Sequence, residues 1–159
     1  MCEYCGCRGV APVAELMDEH SALVDQAHHV RLTLSSGDHA VAMAQLAPLL
    51  ARLDRHVRRE EAGIFLALRA SGEFLDEIDA LEGEHRDFAA AIAELDPGSA
   101  DFAVRVTRLL DDLDGHVERE DLGIFPVSVV TLGATGWEIV DVAHTRSPSF
   151  LRDEAIHIS

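Results

Sequence analysis

A histidine and a glutamate four residues apart on a helix aim an imidazole and a carboxylate at one point. The chain makes this pair twice, as His56 with Glu60 and as His116 with Glu120. Both pairs lie on apolar stripes. Leu49, Leu53, His56, Glu60 and Ile64 follow one another at intervals of four, three, four and four, so the two polar residues take places where the helical period calls for leucine. Burying such groups without a partner costs several kcal/mol. A metal ion removes that cost, and imidazole with carboxylate suits iron, manganese or zinc.

The pairs belong to a longer repeat. LLARLDRHVRREEAGIF, residues 49–65, returns as LLDDLDGHVEREDLGIF, residues 109–125, at an offset of 60. A weaker echo at an offset of 65 relates Leu16, Glu19, His20 and Leu23 to Leu81, Glu84, His85 and Phe88. Any one His-Glu pair is ordinarily a surface contact worth about 0.2–0.5 kcal/mol. Duplication in register with the leucines, and two further histidines at matching places, argue against that reading here. The candidate ligands are His20, His56, Glu60, His85, His116 and Glu120, which make four imidazoles and two carboxylates. That inventory suits two divalent ions, each taking two histidines, with the glutamates bridging and coordination positions left open.

Four amphipathic helices must position these groups. The first starts at Pro12 and ends at Ser35-Ser36-Gly37. The second is capped by Asp38, carries the first repeat and stops near Ser71-Gly72, with Pro48 inside it expected to bend or split it. The third runs from Phe74 to Leu95 and is stopped by Asp96-Pro97-Gly98. The fourth is capped by Ser99 or Asp101 and carries the second repeat until Pro126 disturbs it. Short connections between long amphipathic helices predict an all-α, up-down-up-down four-helix bundle, whose interior is a known location for metal sites. A short additional C-terminal helix around Trp137, Ile139, Val140 and Val142 is expected to cover one side or end, and the tail from Ser147 is expected to be irregular. The expected organisation is a leader over 1–9, a bundle over 10–130 and a C-terminal helix and tail over 131–159.

With 159 residues and 48% hydrophobic content the chain has material for one domain with a real core. A net charge of −16 argues against nucleic acid and anionic membranes as partners. No apolar run reaches the roughly 20 residues of a membrane span, and MCEYCGCR lacks the apolar stretch of a signal peptide. The expected location is cytoplasmic. Cys2, Cys5 and Cys7 all fall in the leader and are one thiol short of a closed four-ligand site, so residues 1–8 are expected to be dispensable for folding.

Across about residues 13–125 the sequence resembles the hemerythrin-like family, also called the HHE cation-binding domain. The family pattern is a His on helix one, His-x-x-x-Glu on helix two, His on helix three and a His-plus-carboxylate motif on helix four. His20, His56 with Glu60, His85, and His116 with Glu120 fill those places. The resemblance implies two iron ions in a non-haem di-iron centre that handles oxygen, hydrogen peroxide, nitric oxide or iron itself. Hemerythrins proper carry a second histidine four residues from the first on helix three, whereas Leu81 and Ala89 flank His85 at that spacing. They also use His-x-x-x-x-Asp on helix four, a spacing that Asp121 satisfies just as Glu120 satisfies the HHE spacing. The helical period favours Glu120, because position i+4 lies about 40° from His116 and i+5 about 140°. Asp121 bridges only if a π-type insertion turns it inward.

Several residues are set aside. Glu82, three residues before His85, looks like half of a ferritin-type motif but has no second copy. His28, His29, His39, His144 and His157 fit no convergent pattern. Glu61 and Asp121 are expected to face solvent, or to accept a hydrogen bond from a ligand imidazole. Gly63 and Gly123 each interrupt a helix at a cost near 1 kcal/mol, which points to close helix approach or to a local distortion. The leading functional reading is a di-iron protein that binds and reacts with oxygen or hydrogen peroxide, with catalase-like or peroxidase-like turnover open. The alternatives are non-catalytic oxygen, nitric oxide or iron sensing, oxygen binding or iron buffering, and a metal-free helical interaction module.

Overall fold

Repeated apolar spacing of 3.6 residues, broken only at Gly, Pro and Asp clusters, leaves the chain little choice but helices. The protein is seen in a computed structural model that describes residues 9–156, and every regular element among them is helical. The leader cysteines Cys2, Cys5 and Cys7, and His157, lie outside the described residues.

Helix α1 spans Ala11–Ser35 and starts, as expected, with proline in its first turn. Helix α2 spans His39–Glu60, with the Asp38 side chain accepting a hydrogen bond from the Val41 amide at 3.1 Å. It continues through a π turn, Glu61–Phe65, into α3, Leu66–Ser71, which ends on Gly72 at a φ of 76°. Helix α4 covers Leu75–Ala93. Helix α5 covers Phe102–Arg119 and continues through a second π turn, Glu120–Ile124, into α6, Phe125–Thr131. Asp101 stands at the start of α5, but its carboxylate holds Arg105 and Ser99 instead of capping the backbone.

Pro48 does not split α2, which runs unbroken through it. The proline and Ala44, four residues earlier, are both exposed, so the lost backbone hydrogen bond falls on the solvent-facing side of the helix. The helix also runs on through Pro126, and its irregularity, the second π turn, stands immediately before the proline, where a backbone N–H is missing from the helical ladder.

Helices α1 and α2 pack together, as do α4 and α5, and α1 also touches α5. Two apolar clusters result. One gathers Leu23, Val30, Leu46, Leu49, Phe88, Phe102, Val106 and Leu110; the other gathers Val13, Leu16, Ile64, Phe65, Leu68, Ile78, Leu81, Ile124 and Phe125. On each of the four helices the candidate ligands fall between the part that feeds one cluster and the part that feeds the other. They therefore form a polar layer with hydrocarbon above and below.

Two elements follow the repeat region. Helix α7, Ala134–Arg146, packs against the first π turn, α3 and α1, covering one side as expected. Helix α8, Leu151–Ile156, replaces the irregular tail expected from Ser147. The reason is local: Phe150 is buried in the first apolar cluster, Ser149 Oγ accepts the Leu151 amide at 3.2 Å, and Asp153 pairs with Arg55. Among the described residues no helix is long and apolar enough to cross a membrane.

Candidate metal centre

All six candidate ligands are buried, and Glu60 and Glu120 are completely so. Two overlapping quartets result: His20, His56, Glu60 and Glu120, and Glu60, His85, His116 and Glu120, with the donor atoms of each quartet all within 4.8 Å of one another. The two carboxylates are common to both. His20 Nε2 stands 3.3 Å from an oxygen of Glu60 and 3.3 Å from one of Glu120. His56 Nε2 contacts Glu60, His116 Nε2 lies 3.0 Å from Glu120, and His85 Nε2 lies 3.4 Å from Glu60. His85 and His116 bring their Nε2 atoms to 3.0 Å of each other, at which only one can carry a proton toward the other.

Each imidazole turns its other nitrogen outward to an acid. Asp121 meets His20 Nδ1 at 2.8 Å, and Glu61 meets His85 Nδ1 at 2.9 Å. Glu19 meets His56 Nδ1 at 3.3 Å, and Glu84 meets His116 Nδ1 at 2.5 Å. The pattern is a twofold one. Each π turn supplies the carboxylate that holds a histidine on α1 or α4, and the residue before each of those histidines holds the histidine of a His-Glu pair. An Nδ1–H donated to a carboxylate leaves the Nε2 lone pair facing inward and raises its basicity, the arrangement metal-bound histidines commonly show.

The π turns make this geometry. Glu120 stays on the buried stripe at i+4 from His116, and the widened turn that begins there carries Asp121 sideways to α1 instead of out to water. Glu120 is thus the carboxylate inside the layer, and Asp121 the one beside it. Glu60 and Glu61 divide the same two places on the other half. Glu61 and Asp121 keep side chains 39% and 31% exposed, so they accept from the ligands while remaining wet on one side. Gly63 and Gly123 both sit in the π turns. A Cβ at Gly63 would meet His144 Nε2 of α7 at 3.5 Å, an ordinary contact, and around Gly123 there is open space, so close helix approach requires glycine at neither position.

Electrostatics fit a cation. Burial by itself would drive the His20 pKa down, yet hydrogen bonds to Asp121, Glu120 and Glu60 and the charge of Glu120 raise it well above normal. His56 and His116 are raised against the same penalty, and His85 is held at about 9 by Glu60, Glu120 and Glu61. Burial would raise the pKa of Glu60, but the surrounding imidazoles hold it well below the usual range. Without an ion, protons on imidazole balance the buried carboxylates. Even so, His56 Nε2, Glu60 Oε2 and both oxygens of Glu120 have no hydrogen-bond partner of good geometry. Each such atom costs about 1–3 kcal/mol when buried. A cation among them satisfies all four at once.

The residues set aside by sequence stay outside the layer. Glu82 pairs with Arg69, His28 and His29 are exposed, and His39 packs on Phe102. Sequence reading passed over Glu19, Glu84 and Arg59 as site residues. The signal for the two glutamates was present in the echo at offset 65, where each precedes a ligand histidine, and Arg59 recurs as Arg119 in the main repeat.

No curated protein and no solved structure gives a significant match to the chain. The family model of the hemerythrin HHE cation-binding domain matches residues 11–128, which takes in all six buried candidate ligands and both π turns. On that match the chain belongs to the hemerythrin HHE cation-binding family.

Proposed function

We propose that His20, His56, Glu60, His85, His116 and Glu120 hold two iron ions, and that the protein binds and reacts with a small oxidant, oxygen or hydrogen peroxide. The observation that carries this reading is the pair of donor quartets sharing Glu60 and Glu120. Two histidines per ion and two shared carboxylates fall short of the six positions iron commonly takes, so open positions remain for a small ligand. Bound there, iron supplies Lewis acidity and one-electron redox chemistry toward that ligand. We also read α1, α2 with α3, α4, and α5 with α6 as an up-down-up-down four-helix bundle. Support comes from the alternating order in which successive helices feed the two apolar clusters.

The chain's own residues do the rest. Asp121, Glu19, Glu61 and Glu84 fix ring orientation and keep each Nε2 free to coordinate. Phe125 and Phe65 lie stacked on His20 and His85, and Phe88 meets His116 edge-on, which keeps bulk water from the layer. The grooves of about 700 Å3 along α7 and about 470 Å3 between α4 and α5 are lined by none of the six residues. The net charge of −16 argues against nucleic acid or an anionic membrane as partner.

A second reading, oxygen or nitric oxide sensing or iron buffering without turnover, draws on one observation: buried Arg59 links Glu19 to the end of α7, giving a change at the site a helix to move. Metal analysis with an optical spectrum of the ferrous protein before and after mixing with oxygen tests the proposal. About two iron ions per chain and an irreversible change to a ferric spectrum are expected. Full recovery of the starting spectrum under inert gas would mean reversible binding, and protein that takes up no iron would end the metal reading.

A further inference from the structure

The two halves of the layer differ in what stands behind them. Behind Glu84, the acid on His116, is Arg119, a surface side chain that is 55% exposed. Behind Glu19, the acid on His56, is Arg59, its counterpart in the repeat, with no exposure at all. Its Nε donates to Glu19 at 3.2 Å and one terminal nitrogen donates to Glu15. The other donates to the carbonyl of Ser147 at 2.6 Å and, at 3.4 Å, to that of His144.

Those two carbonyls close the C-terminal end of α7, where a helix presents unsatisfied oxygens and partial negative charge. Arg59 therefore directs its donors to two carboxylates and a helix end. A continuous path runs from α7 through Arg59 and Glu19 to His56 Nδ1. Helix α7 lies beyond the residues that the family model matches, 11–128. On the other half, Glu84 and Arg119 border an open groove with Phe88 and Gly115, and among the described residues no hydrogen bond ties a helix end to them.

Resting on the two-ion reading, we infer that Arg59 is a positioning residue through which α7 fixes Glu19 on His56, so that the His20 and His56 half of the centre binds its ion more tightly than the His85 and His116 half. The physical reason is ordering. Glu19 is held by a fully buried arginine before any ion arrives, so orienting His56 costs little on binding, whereas Glu84 pairs with an arginine that is 55% exposed and has more side-chain freedom to lose as the ion binds.

Anaerobic titration of the full-length metal-free protein with Co(II), followed by visible absorption and calorimetry, tests this. The wild type is expected to bind in a tighter and a weaker step. Arg59→Gln should weaken the tighter step by about 10–100-fold and leave the weaker one in place. Arg119→Gln, at an exposed pair, should change either step by less than about fivefold. Should Arg59→Gln fail to fold, Arg59→Lys keeps a cation opposite Glu15 and Glu19 but lacks the planar fork, and should weaken the same step. NMR of the Zn(II)-loaded variants provides a second readout: the Nδ1 proton of His56 should shift and that of His116 should not. Equal weakening of both steps, or two steps unchanged in the Arg59 variants, would overturn the inference alone. A wild type that binds no Co(II) would overturn the two-ion reading, and this inference with it.

Discussion

Asp121 holds His20 Nδ1 at 2.8 Å across 101 residues of chain, while its neighbour Glu120 is fully buried among the imidazoles. Adjacent acids on one helix thus have separate tasks, and their removal should differ in degree. Glu120→Ala removes an oxygen pair common to both quartets and should abolish stable loading of both ions. Asp121→Ala frees one ring and should weaken binding about 10–100-fold. Iron content and affinity of the two variants, compared side by side, check this; greater loss in the Asp121 variant would reverse the assignment.

His56→Ala and His116→Ala each remove one Nε2 from one quartet. Each variant should fall from about two ions to about one or fewer on metal analysis after growth with iron. Metal content unchanged in both would show that the ions bind elsewhere.

The metal-free protein should be most stable near pH 6.5. His85 has a folded-state pKa raised from 6.5 to about 9, so its contribution, about 3 kcal/mol, is fully present below pH 6.5 and lost as pH rises to about 9. On the acid side, Glu60 is depressed below 4.5, so its contribution is present above that pH and lost as pH falls through its folded value. His144 is pushed down to about 4 by burial and by the charge of Arg59, so the fold loses stability as pH falls from 6.5 toward 4. Denaturant midpoints of the metal-free protein across this range provide the measurement. A midpoint that rises between pH 6.5 and 9 would contradict it. Iron binding should show the opposite slope over the same interval, because loading displaces the imidazole protons.

Gly123→Ala should be neutral or stabilising by up to about 1 kcal/mol, because its φ is not in the left-handed region and a Cβ there meets nothing within 4 Å. Thermal melts and iron content report the result. Loss of iron in this variant would show that the π turn depends on glycine itself.

Helix existence and the identity of the six inward groups were legible because both depend on periodicity. A stripe with period 3.6 must face the core, and a His or Glu on that stripe must face it too, whatever packs opposite. The repeat at offset 60 supplied the second half of the site from the first. Asp38 as a cap, Gly72 as a stop and Pro12 in a first turn were legible for the same reason: each acts on its own backbone within a few residues.

What the sequence left open was decided by contacts between residues far apart in the chain. A regular helix turns Asp121 about 140° away from His116; only the π turn, stabilised by packing of the whole layer, brings it to His20. Glu61 was left between solvent and a ligand ring by its position, and α4 settles the matter by placing His85 at 2.9 Å. Arg59 and Arg119 are the same residue at the same place in the repeat. Their local sequences predict no difference, yet one is wholly buried and the other 55% exposed, because α7 and α8 cover one half of the molecule and not the other. Local sequence sets which way a side chain points from its own helix, and only the assembled structure sets what it meets there.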